Sequence, residues 1–316
     1  MKKNLIALAV LAAAGAASAQ SSVTLYGVVD ASVGSLKDTL SATTTKIATR
    51  QNAVESSGMR NSRWGMKGSE DLGNGLKANF VLESGMSIDS GAQADKDRLF
   101  NRKATVGLSG DFGTVELGRN YTAYDTLRGA TNNTGDTNMA VTGDVWKAGS
   151  KSAYAGSDAA ASTDYSVRVD NSIRFDSNVY SGFSASASYG FGENKATGLD
   201  STDNFAMHVK YANGPLLVGY AHQSEMAATG GDTHYNLIAG SYDFGVAKLV
   251  AGYNTATRNE APYCGTGAKD SEFQVGVQAP FGATTVYFGY AQSKNKYEDG
   301  SVAEKRTGFD LAATYA

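Results

Sequence analysis

Most of the residues in this 316-residue chain that could do chemistry are fixed charges. Arg63, Lys67, Lys77, Glu83 and Glu116 recur in phase with the polar sides of alternating segments. A long stretch, 121–165, carries Asp125, Asp136, Asp144 and Asp164 with Arg128 and Lys147, and Arg168 and Arg174 come after it. Such charges need not make or break a bond; rings of them along a passage set which ions pass. Bond chemistry has little support. A hydrolase needs a Ser or Asp nucleophile with a positioned His. His208, His222 and His234 lack a recognisable nucleophile motif; His208 and His234 fall on polar faces, and His222 sits at a strand end. No metal cluster has recognisable spacing, and no cofactor is implied; the Asp-rich loops could at most hold Ca²⁺ loosely. Cys264 is the only cysteine, which excludes an internal disulfide framework and predicts an unpaired, exposed thiol without a catalytic role.

The elements that position these charges read as strands. The organising stretch is 62–83, SRWGMKGSEDLGNGLKANFVLE. Extended backbone sends alternate side chains to opposite faces. Trp64 and Met66 share a face, as do Leu76, Ala78, Phe80 and Leu82 beyond the turn; Arg63, Lys67, Lys77 and Glu83 lie opposite. Val23, Leu25, Val29, Ala31 and Val33 predict a first strand with Thr24, Tyr26 and Asp30 on its other side. Residues 35–61 and 84–98 read as polar loops. Further hairpins turn at Asp111-Phe112-Gly113, Ser181-Gly182, Asn213-Gly214, Asp243-Phe244-Gly245 and Pro280-Phe281-Gly282. Tyr235, Leu237 and Ala239 read as an apolar outer face. The spacing predicts 14 strands. Glycine at these turns supplies positive φ, and Asp, Asn or Pro starts the reversal. The short turns recur every 31 to 40 residues except for one gap of 69, which holds the 121–165 stretch.

Residues 1–19 read as a secretory signal: Lys2 and Lys3, an apolar run over 5–14, and Ala17-Ser18-Ala19 as cleavage site, so the mature chain starts at Gln20. Without Lys2 and Lys3, 26 Lys and Arg stand against 31 Asp and Glu, a net of −5, which argues against a nucleic-acid partner. No stretch of 18 apolar residues offers a helical span. Alternation alone fits either a soluble β-sandwich or a membrane barrel with lipid outside and water inside. Short turns alternating with long loops, Tyr and Phe near strand ends, and charges at mid-strand favour a transmembrane antiparallel up-and-down β-barrel.

The segments SSVTLYGVVD, SRWGMKGSEDLGNGLKANFVLE and RKATVGLSGDFGTVELGRN resemble the general trimeric porins of Gram-negative outer membranes, and most of all their beta-proteobacterial branch. The resemblance implies a 16-stranded barrel and a homotrimer. It also implies surroundings of outer-membrane lipid and lipopolysaccharide, with small hydrophilic solutes and ions as cargo. It further implies that the third long loop, here 121–165, folds inward and narrows the pore. Members usually end on an aromatic residue, whereas this chain ends LAATYA; with 14 readable strands, the expectation is a sequence short by one C-terminal hairpin. By resemblance, Arg63, Arg102 and Arg168 match the arginine cluster of anion-preferring members. Glu83 and Glu116, with Asp125, Asp136 and Asp144 of the loop, are the acidic counterparts, and Lys67, Lys77 and Arg174 are secondary lumen residues. Arg102 conflicts with strict alternation, because Ala104, Val106 and Leu108 face lipid; a bulge or slip at Arg102-Lys103 is required. The function implied is passive diffusion with a modest anion preference. A sugar- or phosphate-specific channel, a barrel enzyme and a soluble adhesin are the alternatives.

Overall fold

A computed structural model describes residues 22–41, 46–134, 165–193, 202–226, 231–258, 268–296 and 299–315. The expected signal over 1–19, together with Asp136, Asp144, Asp164, Lys147 and Cys264, lies outside the described residues.

The strands in chain order are β1 (Ser22–Val28), β2 (Ala31–Ser41), β3 (Lys46–Ser56), β4 (Arg63–Gly73), β5 (Leu76–Gly85), β6 (Lys103–Gly110) and β7 (Gly113–Tyr121). A helix, α1 (Ala123–Ala130), comes next. Then come β8 (Arg168–Asp176), β9 (Phe183–Gly190), β10 (Asn204–Asn213), β11 (Leu216–Met226), β12 (Asp232–Asp243), β13 (Lys248–Arg258), β14 (Ala268–Phe281), β15 (Thr284–Lys296) and β16 (Val302–Tyr315). Fourteen of them form one antiparallel sheet, in which β4 to β16 pair with their sequence neighbours and β1 pairs with β4. β1 and β16 are its edges. β2 and β3 form a separate two-stranded ribbon. The expected loop over 35–61 is therefore mostly a long hairpin, and the first strand stops at Val28 rather than running on to Val33. With polar residues on both of its faces, the ribbon has no period for a sequence reading to find.

The sheet is built inside out relative to a soluble protein. On its outer face Ile238 is 59% exposed and Tyr253 51%, while Gln223 and Glu272 on the inner face are 0% and 1% exposed. Apolar-out alternation with a polar lumen is the pattern of a barrel wall in lipid. The wall curves round a common space, since one cavity is lined both by Arg63 of β4 and by Thr314 of β16. Aromatic pairs collect at the strand ends. Phe183 packs at a tilt on Tyr211 at 4.7 Å and Tyr242 on Phe244 at 4.6 Å beside the short turns, with Tyr189 against Phe191 at 5.0 Å at the opposite end. The organising hairpin keeps its expected faces, with Met66 opposite Leu82 and Gly68 opposite Phe80. Its reversal uses Asn74 and Gly75 at φ 52° and 78°, the positive-φ pair a tight hairpin turn demands.

One strand runs against its expected phase. Tyr235, Leu237 and Ala239 of β12 face inward and are buried; His234 and Ile238 face outward. The reason is α1. Ala123, Tyr124 and Leu127 lie on an apolar platform of Ala206, Ala221, Tyr235, Leu237, Ala239 and Ala256. Small side chains on β10, β11 and β13 let the helix approach; at Gly219 an added Cβ would sit 2.6 Å from Leu127 Cδ1. The lumen wall is thus apolar only where it is covered. His234 accordingly stacks on His222 outside the wall at 5.7 Å, and is not a lumen residue.

A cation placed on the lipid side has no water to face. Val275→Arg, on the outer face of β14, is expected to cost roughly 2–4 kcal/mol of folding stability in bilayers, read by urea titration in liposomes. A change within about 0.5 kcal/mol would remove this face from the hydrocarbon.

Candidate pore constriction

α1 is started by Thr122, whose side-chain oxygen accepts the Asp125 N–H at 3.3 Å. Such a cap contributes about 1 kcal/mol. Asp125 in the first turn and Arg128 in the last suit the helix dipole. The helix is tied across the lumen. Ala123 N–H donates to Ser188 Oγ at 3.0 Å, and the Ala123 carbonyl meets His208 Nδ1 at 2.7 Å. The Tyr124 hydroxyl donates to Asn254 Oδ1. Beyond the helix, Gln274 Nε2 donates to the Thr131 carbonyl at 3.1 Å, and Gln278 Nε2 to the Asn133 carbonyl at 2.6 Å. Asn133 Nδ2 donates to the Phe288 carbonyl at 2.9 Å. Residues 122–134 therefore track the inner wall from β9 to β15. Open space remains between them and the wall of β4 to β8.

That opposite wall is basic, and its geometry begins at a bulge. The register of β7 shifts between Gly118 and Asn120. Gly118 has φ +123°, and an added Cβ would meet the Ala104 carbonyl oxygen, so only glycine fits. The bulge turns Tyr121 into the lumen although Glu116, five residues earlier, also points there. Tyr121 Oη accepts from Arg102 Nη2 at 2.8 Å and from Arg168 Nη2 at 2.6 Å. The Arg168 guanidinium also lies 4.2 Å from the Tyr121 ring centroid, a cation–π contact. Arg102 needs no strand slip: it occupies a bend just ahead of β6, with its N–H on the Glu83 carbonyl at 3.2 Å. Its Nε meets Glu83 Oε1 at 2.7 Å, Arg63 Nε lies 3.6 Å from Oε2, and Tyr26 Oη donates to Oε2 at 3.0 Å.

The expected residues separate into groups. Arg63, Arg102 and Arg168 come together along one wall. Glu83 and Glu116, expected as acidic counterparts, lie within that same wall. Glu83 is shared between two arginines. Glu116 takes Lys103 Nζ at 2.9 Å and Asn120 Nδ2 at 2.7 Å, a local ion pair. Asp125 does lie across the gap, on α1, accepting from Tyr165 Oη at 2.9 Å with Arg128 Nη1 at 3.8 Å. Arg174 grips Asp176 through two hydrogen bonds, 2.8 and 2.7 Å. Its remaining nitrogen reaches the Tyr121 carbonyl and Thr126 Oγ1, both at 2.9 Å, so it fastens the entry to α1. Lys67 lies exposed over the Tyr26 ring at 5.7 Å. Lys77 is exposed opposite Asp71, next to the Asn74–Gly75 turn and away from the helix.

Two residues of the passage escaped the sequence reading. Tyr121 depends on a bulge, for which only Gly118 gives a signal. Arg60 sits in the stretch taken as featureless loop, yet it lines a cavity of about 680 Å³ with Arg63 and Arg102. Across that cavity stand Asn132, Asn133, Thr134, Gln278 and Tyr287; among the described lining residues none is a carboxylate. A second cavity of about 510 Å³ lies between Arg102, Arg168 and Arg174 on one side and Asp125 and Arg128 on the other.

Known proteins share this architecture. Outer membrane porin protein 32 of Delftia acidovorans is 36% identical over 322 residues, covering 98% of this chain and 85% of the relative. An outer membrane porin protein of Bordetella pertussis is 32% identical over 366 residues, covering 100% and 90%. Among solved structures, an anion-selective porin from Comamonas acidovorans superposes with a TM-score of 0.76 at 30% identity, covering 93% of this chain and 84% of that one. Residues 6–316 match the family described as Gram-negative porin. A lipid-facing apolar wall, a polar lumen and a helix laid across it agree with these likenesses, and the chain belongs to the Gram-negative porin family.

Proposed function

We propose that this outer-membrane porin favours anions, and that the preference arises where residues 122–134 face Arg60, Arg63, Arg102 and Arg168. One observation carries the reading: Arg60 and Arg168 have no carboxylate within ion-pair distance among the described residues, while Arg63 and Arg102 both lie against Glu83. Guanidinium does not shed its proton, so the excess is a permanent positive field. A narrow passage with low-dielectric walls concentrates it. Lys103 with Glu116 and Arg174 with Asp176 are paired locally and add little. Asp125 faces the field from α1 but is held by Arg128 and Tyr165; Asp136 and Asp144 lie outside the described residues and stay acidic candidates from the sequence alone. The net negative chain does not oppose this sign, because charges beyond a Debye length are screened. The anion-selective character of the solved relative supports it. Lys67 and Lys77 serve as secondary lumen cations. A homotrimer set in outer-membrane lipid and lipopolysaccharide is part of the proposal, supported by the broad exposed apolar face.

Reversal potentials in a KCl gradient across a planar bilayer are expected to show anion preference. The preference should weaken between 0.1 and 1 M salt as the Debye length falls from about 10 Å to about 3 Å. A cation-selective sign would overturn the reading.

Position within the pore is tested by comparing two cations. Arg102→Gln is expected to lower the anion-to-cation permeability ratio about two- to three-fold, and Lys67→Gln by much less, since the field is concentrated at the narrow section. Equal shifts would place the selective section elsewhere.

A further inference from the structure

Asp30 lies between β1 and β2, where the sequence predicts an unbroken strand. Its carboxylate meets no cationic side chain among the described residues. It accepts backbone N–H groups: Met59 at 3.2 and 3.3 Å through its two oxygens, and Arg60 at 3.0 Å. Its own N–H donates to Ser62 Oγ at 2.9 Å, and Ser62 Oγ donates back to the Asp30 carbonyl at 2.8 Å. The Ser57 N–H reaches the same carbonyl at 2.9 Å, and Ser62 N–H donates to Ser57 Oγ at 2.8 Å. Residues 57–62 are thereby wrapped around one side chain. The wrap includes Ser57 at φ 70°, a left-handed conformation that is unfavourable for a non-glycine residue and persists only where its surroundings fix it.

What this turn presents is Arg60. Its guanidinium is exposed, forms no ion pair among the described residues, and lines the 680 Å³ cavity beside Arg63 and Arg102. The same turn supplies the Asn61 carbonyl, which accepts from Arg63 Nη1 at 2.9 Å. Two of the four cations at the passage are thus aimed by a turn whose shape depends on Asp30.

We propose that Asp30 is a positioning residue for ion selectivity: a carboxylate that strengthens anion preference by holding Arg60 and Arg63 toward the passage. This rests on the anion reading above. The claim has an unusual sign. By charge alone, removing a carboxylate near an anion pathway raises anion preference. By positioning, Asp30→Asn lowers it, because the amide keeps the shape and one acceptor oxygen but loses the charge-assisted bonds that fix the turn.

The test uses the full-length porin in planar bilayers, with reversal potentials in a KCl gradient for wild type, Asp30→Asn, Arg60→Gln and the double variant. Arg60→Gln is expected to lower the anion-to-cation ratio about two-fold. Asp30→Asn should lower it at least comparably, and the double variant should lower it by less than the product of the two single effects, because Arg60 is lost to both while Arg63 is misplaced only by Asp30→Asn. A rise or no change in Asp30→Asn, an additive loss in the double variant, or an unaffected Arg60→Gln would overturn the proposal. If Asp30→Asn fails to assemble, Ser62→Ala loosens the same turn while removing no charge. It should lower the ratio in wild type and lower it less in Arg60→Gln; an unaltered ratio in wild type would overturn the proposal. A wild-type channel that prefers cations overturns the anion reading itself. An anion-selective wild type with a raised ratio in Asp30→Asn overturns only the part given to Asp30.

Discussion

In hydrocarbon a backbone N–H or C=O has no water to bond, and each unpaired group costs several kcal/mol. The antiparallel ladder from β1 through β4 to β16 answers that constraint, and the rest of the molecule depends on it. Once strands are obligatory, side chains must alternate between lipid and lumen. Any residue that escapes the alternation must then do so by leaving the ladder. The exceptions are all of this kind. Arg102 sits in a bend before β6, Tyr121 lies just past a bulge in β7, and Asp30 breaks the chain between β1 and β2. These exceptions build the passage together with Arg63 and Arg168, the first residues of β4 and β8.

The inward segment solves a second problem. A helix inside a water-filled barrel gains nothing from lipid, so it needs its own apolar footing. Burying Leu127 and Tyr124 against alanines of β10, β11 and β13 supplies it, at roughly 25 cal/mol for each Å² of apolar surface removed from water. Polar ties then fix its direction. Ser188, His208 and Asn254 hold the helix, and Gln274 and Gln278 hold residues 131–133 beyond it. Among the described residues, the cationic side of the passage faces the amides of Asn132, Asn133 and Gln278 and, beside the helix, the Asp125–Arg128 pair.

How much of this was legible in the sequence depended on whether a rule of period two still applied. It did for residues 62–83, so Arg63 and Glu83 could be assigned to the lumen from spacing alone. It failed for β12, because a lumen face covered by a helix carries the same residues as a lipid face: Tyr235, Leu237 and Ala239 read equally well either way. It failed for β2 and β3, which pair only with each other and whose sequences carry no apolar stripe. Charge pairing was not legible at all. Spacing puts Glu83 and Glu116 on polar faces, but only cross-strand register shows them beside Arg102 and Lys103 on one wall.

That register also decides which charges count. A carboxylate bonded to a guanidinium cancels part of the field, as Glu83 does between Arg63 and Arg102. A carboxylate bonded to backbone N–H groups leaves the guanidinium groups beside it unpaired, and its own effect on passing ions is set by distance and screening. Counting acids and bases along the chain treats both kinds alike, and for this porin the count gives a net negative protein. Sorting each carboxylate by what donates to it gives the opposite expectation for the passage. Arg60 and Arg168 have no carboxylate partner among the described residues, and Arg63 and Arg102 share Glu83. Such cations repel one another across the passage, and an anion entering from solution is the partner that relieves it. The selectivity of the channel and the strain of its basic wall then have one origin, the excess of guanidinium over carboxylate along β4 to β8.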